Sequence, residues 1–434
     1  MTKSICSDKK PLVGFFPAFF NLAETGRAVL IAKRYKELGG EAIFFSHGGE
    51  YEYLARNIGC EVIHVYPIYT EEFIDLIWKS VRLETWKNPY STENLIEYVE
   101  GEVSAYKKTG VKLIVSTNNI ACRISAKVMK IPLVFVKSRF YPRFNYYPND
   151  AENLFTRVLP SWLKLIILNW ILINSKRYVP PFIKVAKKYN VTPPKNDHDL
   201  TKEDYTLYTD FQQFACPENY KPSLNEYYIG PIFFDELFDQ TFDKEDASRQ
   251  EEIIYQHLKK GEKSILLSLG SSGTKEIFLK ILRALNKTNY NVVAVHGSIL
   301  KKNELPILKD NILIKKYVPS LTKLHKMVDL SIIHGGQGTV YTAAYAGKPV
   351  IGFPMTLEQH CNLEMLVKQG GAKIASRKHF NEQNLLNEIK EIFYNYDTYL
   401  TKTRDFSEKL PKPEGDKNAA KKIVEIATKL VSKI

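Results

Sequence analysis

Short apolar runs alternate with longer stretches of helical period along most of this 434-residue chain. In the first half, Leu12–Phe16, Glu41–Phe45, Val62–Val65, Val111–Ser116 and Leu133–Val136 read as buried strands. Ala28–Leu38, Tyr51–Asn57 and Ile120–Met129 read as helices, residues 17–27 as a loop, and 70–108 as mostly helical. Tyr205–Tyr208 and Tyr227–Ile229 add later strands. The second half has strands at Ser264–Ser268, Asn291–Val295, Asn311–Ile314, Leu330–Ile333 and Val350–Phe353. Its helices lie at Glu276–Asn286, Thr339–Ala346, Glu382–Tyr394 and Asp416–Val431. Strand–helix alternation predicts an α/β protein with parallel sheets covered on both faces. The acidic, weakly periodic stretch 236–258 reads as a linker. It divides an N-terminal domain, 1–235, from a C-terminal domain, 259–415, followed by a last helix, 416–434. The halves share architecture but no visible repeat.

Residues 137–200 break the alternation. Leu159–Ile173 is nearly all apolar, holds Trp162 and Trp170, and is flanked or punctuated by Arg157, Lys164, Lys176 and Arg177. At ~15 residues it is too short to span a bilayer. One reading is a buried core helix. The other is an amphipathic element that meets a lipid or greasy acceptor, with Trp and basic side chains at the interface.

Composition narrows the classes. Lys and Arg outnumber Asp and Glu by 61 to 48, a net charge of +13. The basic residues are dispersed and form no nucleic-acid-binding motif. An anionic substrate with an anionic membrane surface explains the excess, as does a generally Lys-rich proteome. The five cysteines are widely spaced, without a Cys-x-x-Cys pair, which argues against a zinc site or a disulfide framework and for a reducing cytosol. The N-terminus does not read as a signal peptide, and no run reaches the length of a membrane span. A cytoplasmic protein, peripherally attached to the membrane, is the expectation.

The densest candidate chemistry lies between Asp329 and Asn362. Strand Leu330–Ile333 leads into His334, Gly335, Gly336 and Gly338, then a helix from about Thr339, which Gly347 and Pro349 stop. Glycines let the backbone turn tightly and approach a ligand. The helix start points free N–H groups and its positive dipole end outward, so a diphosphate fits there without a metal. His334 adds a ring nitrogen. A plain structural turn is the competing reading. After the next strand come Glu358 and Gln359, beside His360 and Asn362, a carboxylate and an amide suited to sugar hydroxyls. A second glycine loop, Gly270-Ser271-Ser272-Gly273-Thr274, follows strand Ser264–Ser268 and offers hydroxyls to phosphate oxygens.

The run His-Gly-Gly-x-Gly-Thr, then Ala-Gly-x-Pro, then Pro354 with Glu358-Gln359 four residues on, resembles the donor-binding signature of UDP-sugar glycosyltransferases of the GT-B fold. It is similar to the family 1 and family 28 enzymes of bacteria and archaea. The resemblance implies two Rossmann-like domains with parallel sheets facing across a cleft, and a last helix that crosses back to the first domain. It places His334, Gly335, Gly336, Gly338 and Thr339 with Gly270, Ser271 and Ser272 at the donor's phosphates, and Glu358 and Gln359 at its sugar. Tyr317 would stack on the base and the Val318 backbone would read its edge. Glu358 stands where Asp is usual. Thr342 stands where plant members carry a ribose-binding Glu.

Ala23-Glu24-Thr25-Gly26-Arg27 resembles the family's Gly-His-x-x-Pro or Gly-His-x-x-Arg stretch, whose His is often the base. Glu24 occupies that place, and Thr117 or Asn118 the place of its usual Asp partner. A carboxylate can serve as base if burial raises its pKa. Glu24 can equally be a helix-start carboxylate.

The reading is an inverting, metal-independent glycosyltransferase (a hexosyltransferase) moving a sugar from a nucleotide-diphosphate donor, UDP-linked, to a hydroxyl acceptor such as a lipid or polyprenol. The UDP-sugar is a co-substrate, and no cofactor, metal or nucleic acid is implied. The alternatives are a UDP-sugar 2-epimerase of the same fold and a non-catalytic sugar-nucleotide-binding subunit.

Overall fold

The computed structural model describes residues 11–139, 144, 147–148, 158–216, 220–238, 244–261, 263–270 and 272–431. The chain forms two compact units. One takes the residues up to Arg139, Trp170–Ile232 and those from Pro413 onward; the other takes residues 140–169 and Phe233–Lys412.

The first unit is built on seven strands: β1 (Leu12–Phe16), β2 (Glu41–Ser46), β3 (Glu61–His64), β4 (Leu113–Ser116), β5 (Leu133–Lys137), β6 (Tyr205–Tyr208) and β7 (Glu226–Tyr228). They lie side by side as β3-β2-β1-β4-β5-β6-β7, all parallel. Strand order reverses between β1 and β4, where Val13 faces Leu113. Their central residues are buried on both faces, which explains continuous apolar runs instead of alternation. The helix Gly415–Val431 packs on the helix Leu22–Glu37. Ala419, Ala420, Ile423 and Ala427 are fully buried, and Asp416 pairs with Arg34 Nε at 2.6 Å.

The second unit has six strands: β8 (Ser264–Ser268), β9 (Asn291–Val295), β10 (Ile312–Lys315), β11 (Leu330–Ile333), β12 (Val350–Gly352) and β13 (Ala372–Ile374). Their order is β10-β9-β8-β11-β12-β13, again all parallel, with the reversal between β8 and β11. Period-two alternation splits its core. Ile265, Leu267, Val292 and Ala294 pack on one face against Phe278, Ile281 and Leu285 of the helix Lys275–Leu285. Leu266, Val293 and Val295 pack on the other, against Ile254, Leu258, Val318 and Leu324.

The structure departs from the sequence reading in places. The stretch 236–258 is not an irregular linker where it is described. It contains the helix Lys244–Leu258, whose Ile254 and Leu258 belong to the second unit's core. Residues 17–27 are not all loop, because a helix begins at Leu22, where Asn21 accepts the Ala23 N–H in its side chain. The unforeseen helices Val179–Lys188, Leu357–Lys368 and Tyr396–Glu408 also form. Arg157 and Ser271 lie outside the described residues.

Candidate active site

In an open parallel sheet, the two loops that leave neighbouring strands in opposite directions open a crevice at the point of reversal. In the second unit that point lies between β8 and β11. The loop after β8 carries Gly270 and Ser272, and the loop after β11 carries His334, Gly335 and Gly336. The sequence-predicted donor residues therefore converge on the place where such a sheet holds a ligand.

The glycines make room for one imidazole. Gly270 has φ +58°, and a Cβ there would fall 2.5 Å from His334 Cε1; a Cβ on Gly336 would fall 2.3 Å from its Nε2. His334 is buried, and burial lowers its pKa to about 4, although a hydrogen bond with the Ser268 carbonyl opposes the shift. The ring is therefore neutral at pH 7. Its Nδ1 is buried without a hydrogen-bond partner, a polar atom that a ligand would satisfy.

The helix after this turn is Gln337–Ala346, two residues earlier than read from sequence. Its cap, Gly336, supplies no side-chain hydrogen bond, and the first intrahelical bond runs from Val340 N to Gly336 O. The amides of Gly338 and Thr339 thus have no carbonyl within the helix to bond, the arrangement that favours an anion. Thr342 Oγ1 donates to the Gly338 carbonyl at 2.8 Å.

Glu358 is half-buried in the first turn of Leu357–Lys368, behind the capping Thr356. Gln359 is buried, and both ends of its amide are engaged. Nε2 donates to Ser272 Oγ at 2.8 Å, and Oε1 accepts the Met355 N–H at 2.7 Å. The amide pins the loop after β8 to the turn after β12. Asn362 Nδ2 donates to the Gly335 carbonyl at 3.1 Å and braces the glycine turn. His360 is buried against Phe144, 3.5 Å from the Glu364 carboxylate. Thr274, expected to offer its hydroxyl to phosphate, caps the helix Lys275–Leu285 by accepting the Ile277 N–H.

Beyond β10, Tyr317 is half-buried with Lys316 Nζ 5.5 Å from its ring centre, and Val318 is buried in the core. Sequence reasoning missed His296, one strand over. It follows β9 at the same edge of the sheet, is buried, and leaves Nδ1 without a partner. A lone His after an apolar run carries no motif.

In the first unit the reversal point lies between β1 and β4. Glu24 sits in the first turn of the helix after β1, not in a loop. Its carboxylate is 3.1 Å from Arg27 Nη1, an i,i+3 ion pair. Thr117 Oγ1 reaches the same place, donating to the Glu24 backbone carbonyl at 3.0 Å and not to its carboxylate. Sequence reasoning also passed over a buried network behind β2. His47 Nε2 lies 3.1 Å from Glu102 Oε1, which accepts Asn119 Nδ2 at 2.8 Å, while Ser125 donates to Glu102 Oε2.

Comparisons with known proteins bear on the fold and the class of enzyme. Residues 264–423 match the glycosyltransferase family 28 C-terminal domain. A PGL/p-HBAD biosynthesis glycosyltransferase of Mycobacterium tuberculosis is 22% identical over 337 residues, covering 75% of this chain and 73% of that protein. The UDP-N-acetylglucosamine–N-acetylmuramyl-(pentapeptide) pyrophosphoryl-undecaprenol N-acetylglucosamine transferase of Bacillus cytotoxicus is 27% identical over 206 residues, 43% of this chain and 55% of that one. Among solved structures, the glycotransferase of kitacinnamycin superposes with a TM-score of 0.65 at 16% identity, covering 96% of this chain and 99% of that one. The fold is that of the GT-B glycosyltransferases, and the chain is a glycosyltransferase.

Proposed function

We propose that the protein transfers a hexose from a UDP-sugar to a hydroxyl of a lipid or polyprenyl acceptor, with inversion and without a metal ion. The observation that carries the donor half is the buried, neutral His334 beside the uncapped start of Gln337–Ala346, at the sheet's reversal point. Backbone amides and a helix dipole would take up the charge of the departing diphosphate, the role a cation plays elsewhere. Glu358 would face the sugar, and Gln359 would hold the two loops in register. Tyr317 would lie against the base. The uridine and the lipid are supported by the similarity to an enzyme whose name carries both a UDP-linked donor and an undecaprenol-linked acceptor.

In the reaction the acceptor oxygen attacks the anomeric carbon from the face opposite the leaving group. The new C–O bond forms as the bond to the diphosphate oxygen breaks, and that oxygen leaves with the electron pair. The acceptor's proton passes to a base, for which Glu24 is the candidate. Its pairing with Arg27 keeps the carboxylate oriented, and acceptor binding would have to compete with that pair. The deciding experiment incubates the purified protein with UDP-hexoses and detergent-solubilised polyprenols and other lipids bearing free hydroxyls, in the presence of EDTA, and identifies products by mass and anomeric configuration. An inverted glycosyl-lipid is expected. Release of a 2-epimerised sugar, or binding of UDP-sugar without turnover, would replace this reading.

A further inference from the structure

The helix Ser161–Asn174 is built inside out. Its only buried side chain is its only charged one, Lys164, whose ammonium lies 5.5 Å from the Tyr147 ring centre. Trp162, Ile166, Trp170 and Ile173 form an exposed stripe at helical spacing, widened by Ile167 and Ile171; the two Trp are 63% and 66% exposed. A helix of a water-facing surface has the opposite pattern. The core-helix alternative raised by the sequence is therefore excluded for this face.

A second exposed apolar element lies in the unit that also holds Trp170, Ile171 and Ile173. The turn after the helix Glu71–Val81 presents Trp86, 84% exposed, together with Val81 and Leu83. It is fastened to the residues just past the apolar helix. Arg177 stacks on Trp86 at 5.0 Å and donates to Ser80 Oγ and the Thr85 carbonyl, while Asn88 Nδ2 donates to the Tyr178 carbonyl at 3.1 Å. Three of the chain's four Trp are thus held outward on two joined elements.

Around the apolar helix the charge is positive, although Glu84 is exposed on the Trp86 turn. From Val158 to Asn196 the sequence holds seven Lys or Arg and no Asp or Glu. Lys176, Lys184 and Lys195 are exposed on the segments that follow the helix, and Lys87 on the Trp86 turn. Outward Trp rimmed by cations matches the boundary between lipid headgroups and acyl chains. A second copy of the chain fits less well, because a two-fold contact would set these cations against themselves. Among the described residues no helix is long and apolar enough to cross a membrane, so this surface would lie on the bilayer.

We infer that the Trp86 turn and the exposed Trp170, Ile171 and Ile173 of the same unit form a docking surface for an anionic bilayer. It deepens the lipid-acceptor reading and rests on it for its purpose. The test is co-sedimentation of the full chain with vesicles of phosphatidylcholine alone or enriched in phosphatidylglycerol, at low and high salt. Wild-type protein is expected to pellet with anionic vesicles at low salt and to be released by high salt. Trp170→Glu and Trp86→Glu should each lower partitioning by ~10-fold or more, with UDP affinity unchanged as the check on folding. Trp170→Tyr should retain binding. Lys176→Glu combined with Lys195→Glu should weaken binding to anionic vesicles only. Ile307→Glu, at an exposed apolar position in the second unit, should have no effect. Wild-type protein left in the supernatant overturns the inference, and concentration-dependent dimerisation abolished by Trp170→Glu assigns the face to a second copy. Transfer to detergent-solubilised lipid without vesicle binding removes the surface and keeps the acceptor. Vesicle binding without transfer to any lipid does the reverse.

Discussion

Replacing Gly336 by Ala tests the link between the glycine turn and the ring it accommodates. Gly336 sits at φ −57° and ψ 138°, a backbone open to any residue, so a methyl adds no backbone strain. That methyl would lie 2.3 Å from His334 Nε2 and 3.0 Å from Cε1. Ordinary contacts lie near ~3.5 Å, so the imidazole must retreat by about 1 Å. Overpacking of this kind costs ~1–3 kcal/mol of stability. A ring displaced that far would also lose the hydrogen bond to the donor proposed for it. Such a bond to a charged group contributes ~1.5–3 kcal/mol, so affinity for UDP should fall by roughly 10- to 100-fold. Calorimetric titration with UDP and thermal melting measure the two effects. The decisive comparison is the same substitution in a His334→Ala background, where the clash has no partner. There Gly336→Ala should leave UDP affinity unchanged and cost less than ~1 kcal/mol of stability, because Ala is a poorer helix cap than Gly. If Gly336→Ala weakens UDP binding equally with and without the ring, the loop acts through its own amides and His334 does not touch the donor.

The remaining expectations concern the base, the metal, acid stability and His296. Glu24→Gln should lower turnover by ~10²-fold or more while UDP affinity stays the same, as loss of a general base requires; a loss of only a few-fold in steady-state assays would leave Glu24 as Arg27's partner at a helix start. Activity should survive EDTA, and activity that vanishes with chelator and returns with Mg²⁺ would contradict the amide-based account. Burial lowers the pKa of His334 to about 4 and that of His325 to about 3, below the ~6.5 of an unfolded His. Both native rings stay neutral, so their contribution is present above pH ~6.5 and is lost as pH falls toward 4, by at most about 3 kcal/mol for His334. Urea melts at pH 7 and pH 5 should show the loss, and an undiminished pH dependence in His334→Gln would refute its share. His296→Ala should weaken UDP binding several-fold without lowering thermal stability, and equal affinity would make His296 an ordinary core residue.

The sheets were legible because their central strands are buried on both faces, and such strands must read as unbroken apolar runs. β13 was not, since Ala-Lys-Ile is too short and too mixed to stand out. The helix at Leu22 begins earlier than its composition suggests. Thr25 and Gly26 are poor helix formers, but the Asn21 cap and burial on the sheet override them. The helix Lys244–Leu258 was read as linker for the opposite reason. Its buried stripe includes Ile254 and Leu258 amid charged residues, so its amphipathicity is thin. The apolar helix Ser161–Asn174 stayed ambiguous because its sequence is apolar on nearly every face, and only the placement of Lys164 settles which face turns inward.

The site was legible as a motif but not as a network. Gln359 and Ser272 are 87 residues apart, and nothing in either stretch announces that one donates to the other. What the sequence did carry was the glycines, and the structure explains why they are informative. Glu358, the charged side chain assigned to the donor, has the wrong sign for a diphosphate, and His334 of the glycine turn is neutral. On the reading proposed above, attraction for the diphosphate comes from oriented amides, in turns that small residues permit. Gly336 shows the constraint directly, because even one methyl would evict the ring that borders the amides. On that reading a Lys-to-Ala scan is a weak probe, whereas single methyls added at Gly270 or Gly336 test the groups proposed to hold the charge.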